Sequence, residues 1–204
     1  SPFSTWTRGL SWVILGYAEQ LEFFSSLPEK ELKSAGGRKT ILDLLKETAT
    51  ATADFYLANT PRDGIPYWDT SAPGLQHLGD WRADIARIDN PCEPVDSSAA
   101  AITAQGLLRL GRCLGNTKSG RRYFQAGLTI ARTLLAEPYL STSSRHQGLL
   151  LHSLYHRPRG WDYIPRGKKV PMGESSLWGD YHLMELAVLL WRHIQNKPYL
   201  TFFS

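Results

Sequence analysis

Apolar residues recur at spacings of three and four in five separate segments, and no segment shows the strict alternation of a half-buried strand. That pattern predicts a mainly helical, all-α chain. The first helix carries Leu10, Val13, Ile14, Tyr17, Leu21 and Phe24 and stops at Pro28. The second runs from about Thr40 through Ile41, Leu44, Leu45 and Phe55, and is ended by Pro61 and Asp63-Gly64. The third opens at Asp96-Ser97-Ser98, where Asp96 or Ser97 makes a good N-cap, and continues through an alanine run to Leu114. The fourth carries Phe124, Leu128, Ala131 and Leu134 and ends near Pro138. The fifth runs from Trp178 through Tyr181, Met184 and Trp191 to Lys197-Pro198. Residues 148 to 152 fit either a short strand or a helical turn.

Two connections, roughly Asn59–Val95 and Ser141–Leu177, are too long for a plain helical bundle. Both are rich in Trp, Tyr, Asp, Gly and Pro, so one end of the helical assembly is expected to carry elaborate loops. A toroid of paired helices builds a sugar cleft at one mouth in this way. The length of 204 residues suits a single domain.

Composition narrows the partners. The net charge of +4 is mild and its basic residues are scattered, which argues against nucleic acid. The exception is a loop holding Arg157, Arg159, Arg166, Lys168 and Lys169, read either as a solvated loop or as a lip for an anionic substrate. No apolar run is long enough to span a membrane. Cys92 and Cys113 form no metal or redox motif, and the spacing of His152 and His156 carries little weight as a metal pair. No metal and no cofactor are expected. The compartment stays open, with a cytoplasmic one slightly favoured over secretion.

The first dozen residues stand out chemically. Arg8 and Trp12 lie one helical turn apart, with Trp6 just before them. A guanidinium beside indoles at a helix start suits a ring bearing a carboxylate, that is, an acidic sugar. Composition alone favours the opposite assignment, with both tryptophans in the core and Arg8 a surface charge. Among the carboxylates, Asp63 reads as a turn residue, Asp96 as an N-cap and Asp180 as a helix-dipole partner. Asp69, beside Trp68 in a loop, is the most site-like.

Five motifs occur in order: Trp6-Thr7-Arg8-Gly9-Leu10-Ser11-Trp12, Ile65-Pro66-Tyr67-Trp68-Asp69, Asp96-Ser97-Ser98-Ala99-Ala100-Ala101, Leu151-His152 with Tyr155, and Leu177-Trp178-Gly179-Asp180-Tyr181. Together they resemble the C-terminal half of unsaturated glucuronyl hydrolases, glycoside hydrolase family 88. The resemblance implies an (α/α)6 barrel, a six-hairpin toroid, with about half of it in residues 1–204 and the N-terminal part apparently absent. It implies Trp6, Arg8, Trp12 and Tyr155 as substrate-binding residues. The family's catalytic aspartates lie in the other half, the first in a His-Asp motif that does not occur here. No catalytic residue is therefore assigned.

The activity implied is release of a terminal 4-deoxy-4-enuronic acid from lyase-generated oligosaccharides by hydration of its vinyl ether. Unsaturated rhamnogalacturonyl hydrolase and a non-catalytic sugar-binding toroid are the alternatives. Two departures are visible. Members acting on sulfated glycosaminoglycan fragments resemble one another in a Ser-x-x-Ser-x-Lys stretch after the tyrosine, where this chain has His156-Arg157-Pro158-Arg159-Gly160-Trp161. This argues against a sulfated chondroitin-type substrate. The segment from about Leu75 to Pro94 is also longer than in compact members. Half a barrel exposes apolar helix faces, so the expected partners are the missing N-terminal half or a second copy, besides the oligosaccharide.

Overall fold

The computed structural model describes residues 4–203. Among these described residues the fold is all-α, with six α-helices: α1 (Thr7–Ser26), α2 (Glu29–Leu32), α3 (Gly37–Ala58), α4 (Ser97–Leu114), α5 (Lys118–Leu134) and α6 (Leu177–Ile194). The five long ones are the five read from periodicity, and α2 is a single extra turn. Short 3-10 turns lie at Lys33–Ala35, Pro73–His77 and Arg157–Arg159. The undecided 148–152 stretch is neither strand nor helix: Leu150 forms an isolated bridge with Leu140, and a turn follows at Leu151-His152.

Helix α4 is the axis of the molecule. Every residue from Ser97 to Gly111 is buried, because α1, α5 and α6 pack around it. The alanine run Ala99–Ala101 allows that enclosure, since small side chains let neighbouring backbones approach. Gly106 marks the closest approach: a Cβ there would stand 2.8 Å from the backbone nitrogen of Leu15 on α1. Helices α4 and α5 form an antiparallel hairpin, α5 being capped by Thr117, whose hydroxyl accepts the Gly120 N–H.

Pairings along their length show that α1, α4 and α6 run in one direction. The Arg8 guanidinium reaches Ser98, the Thr103 hydroxyl bonds Ser11 at 2.8 Å, and Arg109 meets Glu22 at 2.7 Å. On the other side, Trp178 reaches Ser98, Gln105 bonds the carbonyl of His182, and Arg112 approaches His193. The N-termini of all three helices therefore gather at one end. The two long connections fold over that same end.

At the opposite end, Arg109 pairs with Glu22 and donates to the Leu200 carbonyl, drawing the C-terminal segment across α1 and α4. A row of apolar residues on α6, comprising Leu177, Tyr181, Met184, Val188, Trp191 and Ile194, remains exposed. Trp12 and Val13 of α1 and Leu44 of α3 are exposed as well.

Candidate functional site

Arg8 stands in the first turn of α1, Ser98 in the first turn of α4, and Trp178 in the first turn of α6. The three meet. Arg8 Nη1 donates to Ser98 Oγ at 3.3 Å, Trp178 Nε1 donates to the same oxygen at 3.2 Å, and the guanidinium carbon lies 4.8 Å from the Trp178 ring centre. Three helix N-termini, each with a partial positive charge, thus converge around a cation.

The exposure pattern inverts the one composition favours. Arg8 is only 4% exposed, whereas Trp6 and Trp12 are each 43% exposed. Arg8 is held from two sides. Its Nη1 is 3.4 Å from Asp96 Oδ2, its Nη2 donates to the Tyr155 carbonyl at 2.8 Å, and Nη1 also donates to the Leu154 carbonyl. Its Nε–H has no partner among the described residues.

Asp96 is the expected N-cap of α4, accepting from the backbone N–H groups of Ser98 at 3.1 Å and Ala99 at 3.4 Å. It also accepts the Ser98 hydroxyl and the Leu154 N–H. Arg8 and Asp96 therefore clamp the same loop, one through its carbonyls and one through its amide. Burial pushes the Asp96 carboxyl up, with Arg8 and the Ser98 hydroxyl pulling the other way.

The aromatic rings form a surface above this clamp. Trp6 meets Trp12 edge to face at 5.8 Å, and the Arg8 guanidinium lies 5.0 Å from the Trp6 ring. Gly9 makes room for the first indole: a Cβ there would meet Trp6 Cε3 at 3.0 Å. Tyr155 stacks between Trp161 at 5.5 Å and Trp178 at 5.3 Å, each ring inclined by 27°. The Asp162 carboxylate accepts the N–H groups of Tyr155 and His156, which fixes the start of the loop.

A pocket of about 340 Å³ opens here, lined by Trp6, Arg8, Trp68, Asp69, Tyr155 and Arg157 with their neighbours. Of the four residues that the resemblance implies for substrate binding, three, Trp6, Arg8 and Tyr155, share it. Trp12 does not line it; it backs Trp6 and borders a separate shallow depression with Val13, Gly16, Tyr17 and Gln20. Asp69 is buried in the pocket wall, with Oδ1 accepting the Ser71 N–H at 2.9 Å. Arg157 of the basic loop reaches the pocket, Arg159 lies over the Trp161 ring, and Lys168 pairs with Asp89 at 2.9 Å.

Other carboxylates serve the loops. Asp180 accepts the N–H groups of Leu149 and Leu150, and Asp63 Oδ2 accepts that of Ala86. His152 is buried and accepts the Gly173 N–H through Nδ1, and burial lowers its pKa to about 4. Among the described residues, no group of His, Cys, Asp or Glu is arranged to hold a metal ion. Among the same residues, no helix is long and apolar enough to cross a membrane.

Sequence reasoning did not single out Trp178, Trp161 or Ser98 as site residues. The signal available for the two tryptophans was the aromatic content of the second long connection and the helix start that follows it. Nothing local distinguishes Ser98 from an ordinary helix-start serine.

No family model matches the chain. It is 30% identical over 197 residues to the unsaturated glucuronyl hydrolase of Bacillus sp. (strain GL1), covering 96% of this chain and 42% of that protein. It is 27% identical over 184 residues to the unsaturated glucuronyl hydrolase of Formosa agariphila, covering 89% of this chain and 35% of that one. Among solved structures, the unsaturated glucuronyl hydrolase of Bacillus sp. GL1, described as responsible for the degradation of glycosaminoglycan, superposes with a TM-score of 0.65 at 28% identity. That match covers 94% of this chain and 41% of the solved one. The chain thus spans less than half the length of the curated relatives it matches. Within that span it is a homologue of the unsaturated glucuronyl hydrolases and shares the helical architecture of their (α/α)6 barrel.

Proposed function

We propose that this chain is the substrate-binding part, corresponding to the C-terminal half, of an enzyme that removes an unsaturated uronic acid from the non-reducing end of lyase-generated oligosaccharides. The observation that carries this reading is the aromatic pocket over Arg8, at the meeting point of three helix N-termini. Aromatic faces suit the flattened ring of a 4,5-unsaturated sugar. The buried cation and the helix ends suit its carboxylate.

The reaction adds water across the C4=C5 vinyl ether. A carboxylic acid protonates C4, water bonds to C5 and loses its proton to a base, and the resulting hemiketal opens. The C5–O bond to the ring oxygen breaks, leaving a ketone at C5 and a hemiacetal at C1. The C1–O bond of that hemiacetal then breaks, giving an aldehyde at C1 and releasing the neighbouring sugar with the proton on its oxygen. The acid is an aspartate expected in the other half of the barrel. Within this chain Trp6 and Tyr155 hold the ring, and Trp12 supports Trp6 from behind. Arg8 supplies positive potential and, with Asp96, fixes the Tyr155 loop. The exposed row on α6 and the exposed face of α1 receive the remaining helices. No metal or cofactor is assigned a role.

The test is incubation of the full-length protein with lyase-generated unsaturated disaccharides. Loss of the ultraviolet absorbance of the conjugated double bond is expected. Unchanged absorbance across glycosaminoglycan-derived and rhamnogalacturonan-derived substrates, with no sugar released, rules the reading out.

A further inference from the structure

We infer that Trp68 is a substrate-stacking residue of this pocket and that Glu93 is the positioning residue that sets its indole, an assignment that rests on the reading of the pocket given above. Trp68 lines the pocket with Trp6 and Arg8, and is half-buried. Its main chain is already fixed to the start of α1. The Trp68 carbonyl accepts the Thr7 N–H at 3.1 Å, the Thr7 hydroxyl donates to the Tyr67 carbonyl at 2.8 Å, and the Trp68 N–H donates to the Pro94 carbonyl at 3.1 Å. What is left free is rotation of the indole about its side-chain bonds.

Glu93 removes that freedom. Its Oε2 accepts the Trp68 indole N–H at 2.7 Å and its Oε1 accepts the Gly74 N–H at 2.8 Å. Glu93 is buried, and among the described residues it forms no ion pair. A buried carboxylate without a counter-cation is costly. Here its two oxygens serve the Trp68 indole at the pocket wall and the Gly74 amide behind it. Both ends of the glutamate are held. Asn90 accepts the Glu93 N–H at 2.9 Å and donates to its carbonyl at 2.8 Å. Gly74 is the cradle for the side chain, since a Cβ there would stand 2.8 Å from Glu93 Cγ.

These groups come from the connection after Trp68, including the long Leu75–Pro94 segment. That segment is thus a buttress for the pocket. The charge has a second effect. A carboxylate accepting from an indole N–H leaves the ring face richer in electrons. Such a face favours the C–H groups of the sugar ring before and during the reaction alike, so its effect falls on KM.

The test uses the full-length protein and an unsaturated disaccharide, with steady-state kinetics, disaccharide-dependent tryptophan fluorescence and melting temperature read together. Trp68→Ala and Glu93→Ala are each expected to raise KM roughly tenfold with kcat changed much less. Glu93→Gln, which still accepts the indole N–H, is expected to recover most of the loss. The double variant is expected to be no worse than Trp68→Ala alone. An unmoved KM in Glu93→Ala with only a lowered melting temperature overturns the assignment, as does an additive double variant. Wild-type protein that neither binds nor turns over any such disaccharide overturns the reading of the pocket itself, and this assignment with it.

Discussion

Arg8 and Asp96 lie 88 positions apart in sequence (96 − 8) and 3.4 Å apart in space, with side chains 5% and 0% exposed. Their ion pair joins the first turn of α1 to the cap of α4, and both partners grip the backbone on either side of Leu154. The site is therefore held together by the same charge that is proposed to attract the substrate.

Removing one partner of this pair leaves the other charged and buried. Arg8→Ala is expected to cost about 3–5 kcal/mol of stability, because Asp96 loses its counter-cation and two carbonyls lose their donor together. Urea unfolding measures that loss. Arg8→Lys keeps a charge near Asp96 but not the planar fork that reaches both carbonyls. It should remain folded and raise KM for the unsaturated disaccharide. A wild-type KM in a folded Arg8→Lys protein would show that the fork does not shape the pocket.

Acidification should act through His152. Its pKa is lowered to about 4 by burial, against an unfolded value near 6.5. Between those values the unfolded chain binds the proton and the folded chain does not, so stability falls as the pH drops from 6.5 towards 4. The loss from this one group approaches about 3 kcal/mol. Unfolding midpoints at pH 7 and pH 4.5 should differ more for the wild type than for His152→Gln. Equal differences would remove His152 from the acid response.

The α1–α4 contact has no room for a methyl group at Gly106, where an added Cβ would also lie 2.9 Å from Ile14 Cγ2 and from Leu15 Cα. Gly106→Ala should cost about 1–3 kcal/mol despite its better helix propensity. A methyl group added at Gly16 would have nothing within 4 Å, so Gly16→Ala is the control and should be neutral or stabilising. Thermal melting of the pair settles whether close packing outweighs propensity at position 106.

Residues 1–204 produced alone should bind sugar but not turn it over, and should self-associate through the exposed row from Leu177 to Ile194 on α6. Met184→Lys with Trp191→Glu should reduce the association. Light scattering that shows a sharp monomer for the unmodified segment would contradict this.

What the sequence determined by itself is the local order: the positions of the five long helices, the capping role of Asp96, and the two long connections. Each follows from interactions within a few residues of one another, which leave a period or a cap that can be read directly. The ordered motifs added three residues of one pocket, Trp6, Arg8 and Tyr155. Only the tertiary structure decided that Arg8 is buried while Trp6 and Trp12 are exposed, that Trp12 stands outside the pocket, and that Glu93 holds Trp68. Those outcomes depend on loops far away in sequence. The Leu154 and Tyr155 carbonyls reach Arg8 across separations of 146 and 147 residues. A backbone carbonyl carries no side-chain identity, so no pattern of residue types announces that it will bury an arginine.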